Sequence, residues 1–287
     1  MLAALAAALA ITPIPAGSSP CGNTYAFGSV WVAAGGSSTV YRIDPKTNRR
    51  RGAVAVGAAP CGVTSGAGSL WVEDYGAARI DRINPKRMKV VARIRAGRHV
   101  WDVLFAAGSV WATNHDDGTV ERISPVTNRV VATIDTGGNP ANMTFAFGAV
   151  WVGSNSGDAI FRIDPGTNAF TQVTIGQDGP ASITADASSL WISNRTSGTV
   201  SRYDMASGRV VATIPVGRGP AVSAFAADGA LVVPNGDDGT LSIVNAATNS
   251  VDRVLSGFGS PLIVKRWLGD LWVADNRGTR LFRIRLP

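Results

Sequence analysis

Histidine and cysteine are nearly missing from this chain: two of each stand among 287 residues. With so little imidazole, general acid–base chemistry near neutrality has few carriers. No complete catalytic constellation is found. Charged residues make up only 16% of the chain against 45% hydrophobic ones, which excludes a disordered polymer. Beyond the first ten residues no stretch approaches the length and apolarity of a bilayer span. Sustained helical periodicity is absent as well, so a body without helices is expected.

What is present is a repeat. Trp31, Trp71, Trp111, Trp151 and Trp191 follow at steps of forty residues; Leu231 is read as the sixth place and Trp272, one residue late, as the seventh. A fixed period in this range marks a repeat architecture. Within one unit, Ala141–Phe147, Val150–Val152, Ala159–Ile163 and Phe170–Ile175 form four short β-rich runs between turns. The turns share a design in Asp44-Pro45-Lys46-Thr47-Asn48, Ser124-Pro125-Val126-Thr127-Asn128 and Asp164-Pro165-Gly166-Thr167-Asn168. Asp or Ser accepts backbone N–H groups, proline presets φ, and Asn tolerates the left-handed corner.

Four antiparallel strands per forty residues fit a propeller blade. Each Trp buries roughly 200 Å² between blades, an upper estimate of about 5 kcal/mol before entropy. The expected fold is all-β: a seven-bladed β-propeller of four-stranded antiparallel blades, occupying residues 11–287 as one domain. Ile14-Pro15-Ala16-Gly17-Ser18-Ser19-Pro20 matches Ile214-Pro215-Val216-Gly217-Arg218-Gly219-Pro220, so the N-terminus carries the last strand of a unit with no strands before it. Leu281–Pro287 is a third strand with nothing after it. The two fragments predict closure of the ring, with an N-terminal outer strand in the last blade, which removes an open edge.

Residues 1–10 read as the apolar core of a secretory signal ending in Ala8-Leu9-Ala10, without the basic leader expected upstream. A secreted, periplasmic or cell-surface location is therefore expected.

The pattern Gly-Ser-Val-Trp-Val, Gly-Thr-Val-x-Arg-Ile-Asp-Pro, Val-Val-Ala-Thr-Ile-x-Val-Gly-x-x-Pro resembles the YVTN-type β-propeller repeats and, more distantly, the virginiamycin B lyase group. The resemblance covers residues 11–287. It implies the propeller fold, and a family in which binding and scaffold modules outnumber enzymes.

In such a ring the default ligand site is the loop face around the central channel. One ring of positions follows the loop-proline place, filled by Val100 in the third unit: Cys21, Cys61, Trp101, Ala141, Ala181, Ala221 and Leu262. A second lies three residues past each Trp place: Ala34, Asp74, Asn114, Ser154, Asn194, Pro234 and Asp275. The lyase resemblance implies histidines in the first ring and a glutamate in the second, near a magnesium ion. This chain has no histidine in the first ring, and Asp74 and Asp275 stand where the glutamate would be.

Three readings of Cys21 and Cys61 stay open: a disulfide, two buried thiols, or a metal site shared with His99, His115 or Glu73. Asn114–Gly118 and Asn235–Gly239 look like oxygen-rich calcium loops, but the bidentate Glu of a calcium loop is missing and solvent-exposed turns are expected. The net charge of +7 raises a nucleic-acid reading. Against it, Arg42, Arg82, Arg122, Arg162, Arg202 and Arg283 recur at one repeat position, where structural pairing with turn acids such as Asp44 or Asp164 is expected. No specific nucleic acid is expected as a partner.

Trp101, Asp102, Tyr75 and Trp267 break the repeat, and departures from local consistency tend to mark sites. The candidate ligand-binding residues are therefore Cys21, Cys61, Glu73, Asp74, Trp101, Asp102, Asn114 and His115, in blades one to three. An unknown protein or small molecule is the expected partner. The cofactor is unknown, with a divalent metal as one option. A binding scaffold is favoured over a lyase-like or other metal-assisted enzyme.

Overall fold

The computed structural model describes residues 9–285. The apolar segment read as a signal lies largely outside the described residues. Seven four-stranded antiparallel sheets follow one another around a central channel. Blade one runs Pro20–Ala26, Ser29–Ala34, Thr39–Asp44 and Arg49–Ala55 from the channel outwards. Blade seven is built from Pro261–Trp267, Asp270–Asp275, Arg280–Arg285 and, outermost, Ala10–Pro15. That last pairing joins the two ends of the chain in register from Ala10↔Arg285 to Pro15↔Arg280. Ile14 and Ala16 are buried there against Trp272 and Leu281, so the seam has a core like any other blade interface. Two three-residue 3₁₀ turns, Gly35–Ser37 and Tyr75–Ala77, are the only helical geometry among the described residues.

The turn chemistry is realised as the residues dictate. Asp164 Oδ1 accepts the N–H groups of Gly166 and Thr167 at 2.8 and 2.9 Å, and Asn48, Asn128 and Asn168 close their turns at φ of 57°, 56° and 61°.

Six tryptophans are sealed between blades. Trp31, Trp71, Trp111 and Trp151 each donate the indole N–H to the carbonyl five residues earlier. In five blades the repeated arginine lies over the indole, 4.7–5.5 Å from the ring centroid. Arg82 shows the full pattern. Its Nε donates to Ser69 Oγ at 2.8 Å, and its Nη1 reaches the Pro125 carbonyl and Asn128 Oδ1 of the next blade, each at 2.8 Å. The arginines are thus structural, but the expected turn acids are not their main partners. A turn asparagine and its neighbouring carbonyl take that place, because they sit directly across the blade interface. Asp44 pairs instead with Arg51.

Blade six corrects the repeat count. Pro220 bridges Asn235, as Pro180 bridges Asn194 and Pro261 bridges Asp275. The extra residue therefore lies in the first hairpin of blade six. Val232, not Leu231, holds the tryptophan place, and Asn235, not Pro234, the second ring. Ile243 pairs with Val232 where Arg202 pairs with Trp191, so tryptophan and arginine are lost together. Beyond the Pro220–Asn235 bridge, the inner strand of this blade pairs with its own sheet over only Ala224–Phe225. It turns to blade seven instead: Val222 N–H donates to Leu262 O and Val264 N–H to Val222 O.

Candidate functional site

The inner strands of six blades slip register just after their first residue, as between Pro20 and Asn23 or Pro60 and Val63. Such a bulge re-aims side chains, and here it turns the residue after the loop proline, or after Val100 in blade three, toward the channel. Cys21, Cys61, Trp101, Ala181, Ala221 and Leu262 accordingly line a cavity of about 440 Å³ at the channel mouth.

Cys21 and Cys61 form a disulfide across blades one and two, with Cα atoms 4.9 Å apart. A Cβ at position 22 would collide with the Cys61 carbonyl oxygen. Glycine in the Pro-Cys-Gly sequence thus lets neighbouring inner strands close to bridging distance. The bond settles the choice between disulfide, free thiols and thiolate ligands. It packs on Val222 and Ile263, giving the cavity an apolar floor.

One wall is aromatic. Tyr75 stacks on His99 at 4.5 Å, and Trp101 stacks on His115 at 4.8 Å. Tyr75 and Trp101 meet edge-on at 6.0 Å, so the four rings are continuous. Asp116 ties the wall together by accepting from Nδ1 of both histidines. The hydrogen bond to His115 and then that to His99 hold its carboxyl below the usual range. Arg195 lines the cavity too and, with Trp101 and His115, borders an adjoining recess, where its Nη2 lies 3.7 Å from Asp237 Oδ1.

Glu73 is fully buried beside this cavity. Its Oε1 accepts the backbone N–H groups of Cys61, at 2.8 Å, and Gly62, while Oε2 has no partner. Burial, with the Asp102 and Asp74 charges adding to it, pushes its carboxyl well above the ordinary range. Burial likewise raises Asp102 to about 6. Asp102 belongs to a deeper part of the channel, where its Oδ2 accepts the Met143 N–H at 2.7 Å.

Asp74 and Asn114 lie behind the cavity, not in it. Asn114 Oδ1 accepts the Gly97 N–H at 3.1 Å, and Asp275 accepts those of Gly259 and Ser260. At these two positions the second ring therefore anchors the loop that leads into its own blade. The residue after each anchor is the one that faces the channel, as Tyr75, Asn155, Arg195 and Asn276 do. Asn142, Asn155, Arg195 and Asn276 were not singled out from the sequence. A one-residue shift of the ring would have found three of them, and Asn142 follows the Trp101 position by one repeat plus one residue. The two acidic loops hold their carboxylates in place internally: Asp117 takes Arg98 and Asp238 takes Arg218, each through backbone and guanidinium.

A family model described as a repeat of unknown function (DUF6923) matches residues 50–189. No curated protein matches. Among solved structures, the fold is similar to virginiamycin B lyase from Staphylococcus aureus, with a TM-score of 0.86 and 16% identity over 98% of this chain and 100% of that one. A streptogramin B lyase gives 0.84 and 16% identity over 97% and 98%. The WD40 β-propeller domain of Doa1 gives 0.78 and 14% over 96% and 95%. At these identities the likeness is one of fold.

Proposed function

We propose that this protein is an exported β-propeller that captures a small, ring-bearing molecule at its channel mouth. The observation that carries this reading is the cavity of about 440 Å³, with a disulfide floor, the Trp101 and Tyr75 wall and Arg195 in its lining. Its size is that of a small-molecule pocket, and few, placed polar groups in an apolar lining give orientation. A planar ligand stacks on Trp101 and directs an acceptor or anionic group to Arg195. Export is supported by the apolar first residues and by the disulfide, which persists in oxidising compartments.

A thermal-shift screen of metabolites and metals tests the reading. Ligands that raise the melting temperature of the wild type should fail to do so for Trp101→Ala and Arg195→Met. Shifts that survive both substitutions would move the binding site elsewhere.

A lyase reading draws support from the shared fold and from Glu73, a buried carboxyl held protonatable beside the cavity. The first ring offers it no histidine. Incubation with virginiamycin B, followed by mass spectrometry, separates the two: a binding module leaves the compound intact, whereas turnover that Glu73→Gln abolishes would replace the binding reading.

A further inference from the structure

The channel continues past the mouth. Asn142, Val222 and Ile263 line both the mouth cavity and a second one of about 400 Å³, and so form the constriction between them. The second cavity is different in kind. Thr24, Thr64, Thr144 and Thr184 hold one repeat position of blades one, two, four and five, Thr184 with its hydroxyl donated to the Ser223 carbonyl, and Lys265 holds that position in blade seven. Asp102, on the inner strand of blade three, lines the same cavity.

Lys265 and Asp102 stand three blades apart around the seven-membered ring, nearly across the channel. They sense each other's charge, yet no ion pair joins them, and no hydrogen-bond acceptor meets Lys265 among the described residues. Both are half-buried in the channel, and this partial burial pulls the Lys265 ammonium down from its ordinary range and pushes Asp102 up. Arg266 lines this cavity as well, with its Nη1 turned to the Ala226 carbonyl at 3.5 Å, which leaves Lys265 and Asp102 as two opposite charges held apart in a partly desolvated channel; such a pair gains from a ligand that completes both. A lone anion would satisfy Lys265 and face repulsion from Asp102, and a lone cation the reverse.

We propose that the inner channel is a binding site for a small zwitterion of the amino-acid class, with its carboxylate on Lys265 and its ammonium on Asp102. The hydroxyls of Thr24, Thr64 and Thr144 border the ligand. This site is separate from the one at the mouth and does not depend on what binds there.

The test uses unbranched ω-amino acids of increasing length, from glycine to 6-aminohexanoate, titrated calorimetrically into the full chain. Matched alkyl carboxylates and alkylammonium ions serve as controls. One chain length should bind about tenfold or more tighter than either control. Lys265→Met and Asp102→Asn should each weaken that length by about tenfold or more, while Trp101→Ala leaves it unchanged. Near-ultraviolet circular dichroism checks that each variant is folded, and Lys265→Met removes a buried charge and should not lower the melting temperature. Absence of binding across the series at millimolar concentration overturns the proposal, as does binding that both substitutions leave intact. Sensitivity to Trp101→Ala would assign the amino acid to the mouth and overturn it equally.

Discussion

Blades three and six depart from the repeat in opposite ways. Blade three keeps its interior: Trp111 is sealed, Arg122 lies 5.4 Å above it, and Arg122 Nη1 reaches the Pro165 carbonyl at 2.7 Å. What changes is its rim, where Trp101, His99 and His115 crowd one side of the channel mouth. Blade six keeps a plain rim and loses the interior pair, with Val232 and Ile243 in place of tryptophan and arginine. A lost core contact is answered by the backbone, since the inner strand of blade six bonds to blade seven. A changed rim leaves the backbone as it was and alters only what a ligand meets. Rim departures therefore point to function and core departures to packing.

The largest expected effect concerns blade seven, which is regular inside but assembled from both ends of the chain. Deleting residues 1–17 removes its outer strand and exposes the edge of Arg280–Arg285. The melting temperature should fall by about ten degrees or more in a calorimetric scan. An unchanged melt would mean that the seam is not a structural equal of the other blades.

Next comes the interior itself. Trp111→Ala should cost about 3–5 kcal/mol in urea unfolding, because it opens a cavity between blades three and four. Val232→Ala in blade six should cost about 2 kcal/mol, since fewer buried groups are removed. Equal losses would show that the tryptophan is not the main wedge. A smaller contrast tests the arginine bridge. Arg82 links to Asn128 of the next blade, whereas Arg42 bonds Ser29 in its own blade and faces Met88 at the corresponding turn position. Arg82→Met should therefore cost about 1–2 kcal/mol more than Arg42→Met, the worth of the extra hydrogen bonds.

How much of this was legible in the sequence depends on the kind of signal. Strand runs, turn residues and ring closure were readable because they rest on local chemistry and on a period of forty. The blade-six register was not, because Leu231 mimics the missing Trp and the inserted residue hides in a hairpin. Cys21, Cys61 and Trp101 were placed on the channel, since they share one repeat position at the start of the inner strand. Asp74 and Asn114 were assigned to the same face, yet Asn114 anchors a loop and Asp74 pairs with Arg79 behind the cavity. Which side of a bulge or loop a side chain takes is set by tertiary approach, as when Gly22 admits Cys61, and spacing alone does not carry that. Lys265 went unmarked because a lone lysine is ordinary until its surroundings are known.

The second ring offers the finest test, because one repeat position is filled by two chemistries. Asn114, Asn194 and Asn235 hold the place neutrally in blades three, five and six, and each donates to a threonine hydroxyl at 3.0 Å. Asp74 holds it as a carboxyl, buried, with Oδ2 on Arg79 at 3.0 Å and Oδ1 without a partner. Burial, reinforced by the Asp81 charge and only partly offset by Arg79, raises Asp74 from 3.8 to about 7. A carboxyl raised in the folded state binds more protons folded than unfolded between those two values, so the stability it confers is present below about pH 4 and is lost as pH rises through about 7. Asp74→Asn fixes the neutral state already used by three other blades. The variant should match the wild type near pH 4 and exceed it by about 1–2 kcal/mol at pH 8, allowing for the arginine that Asp81 retains. Thermal melts of both proteins between those limits measure the divergence. A variant less stable at pH 8 would mean that the Arg79 ion pair outweighs burial, and that the neutral anchors of the other blades are not equivalents of Asp74.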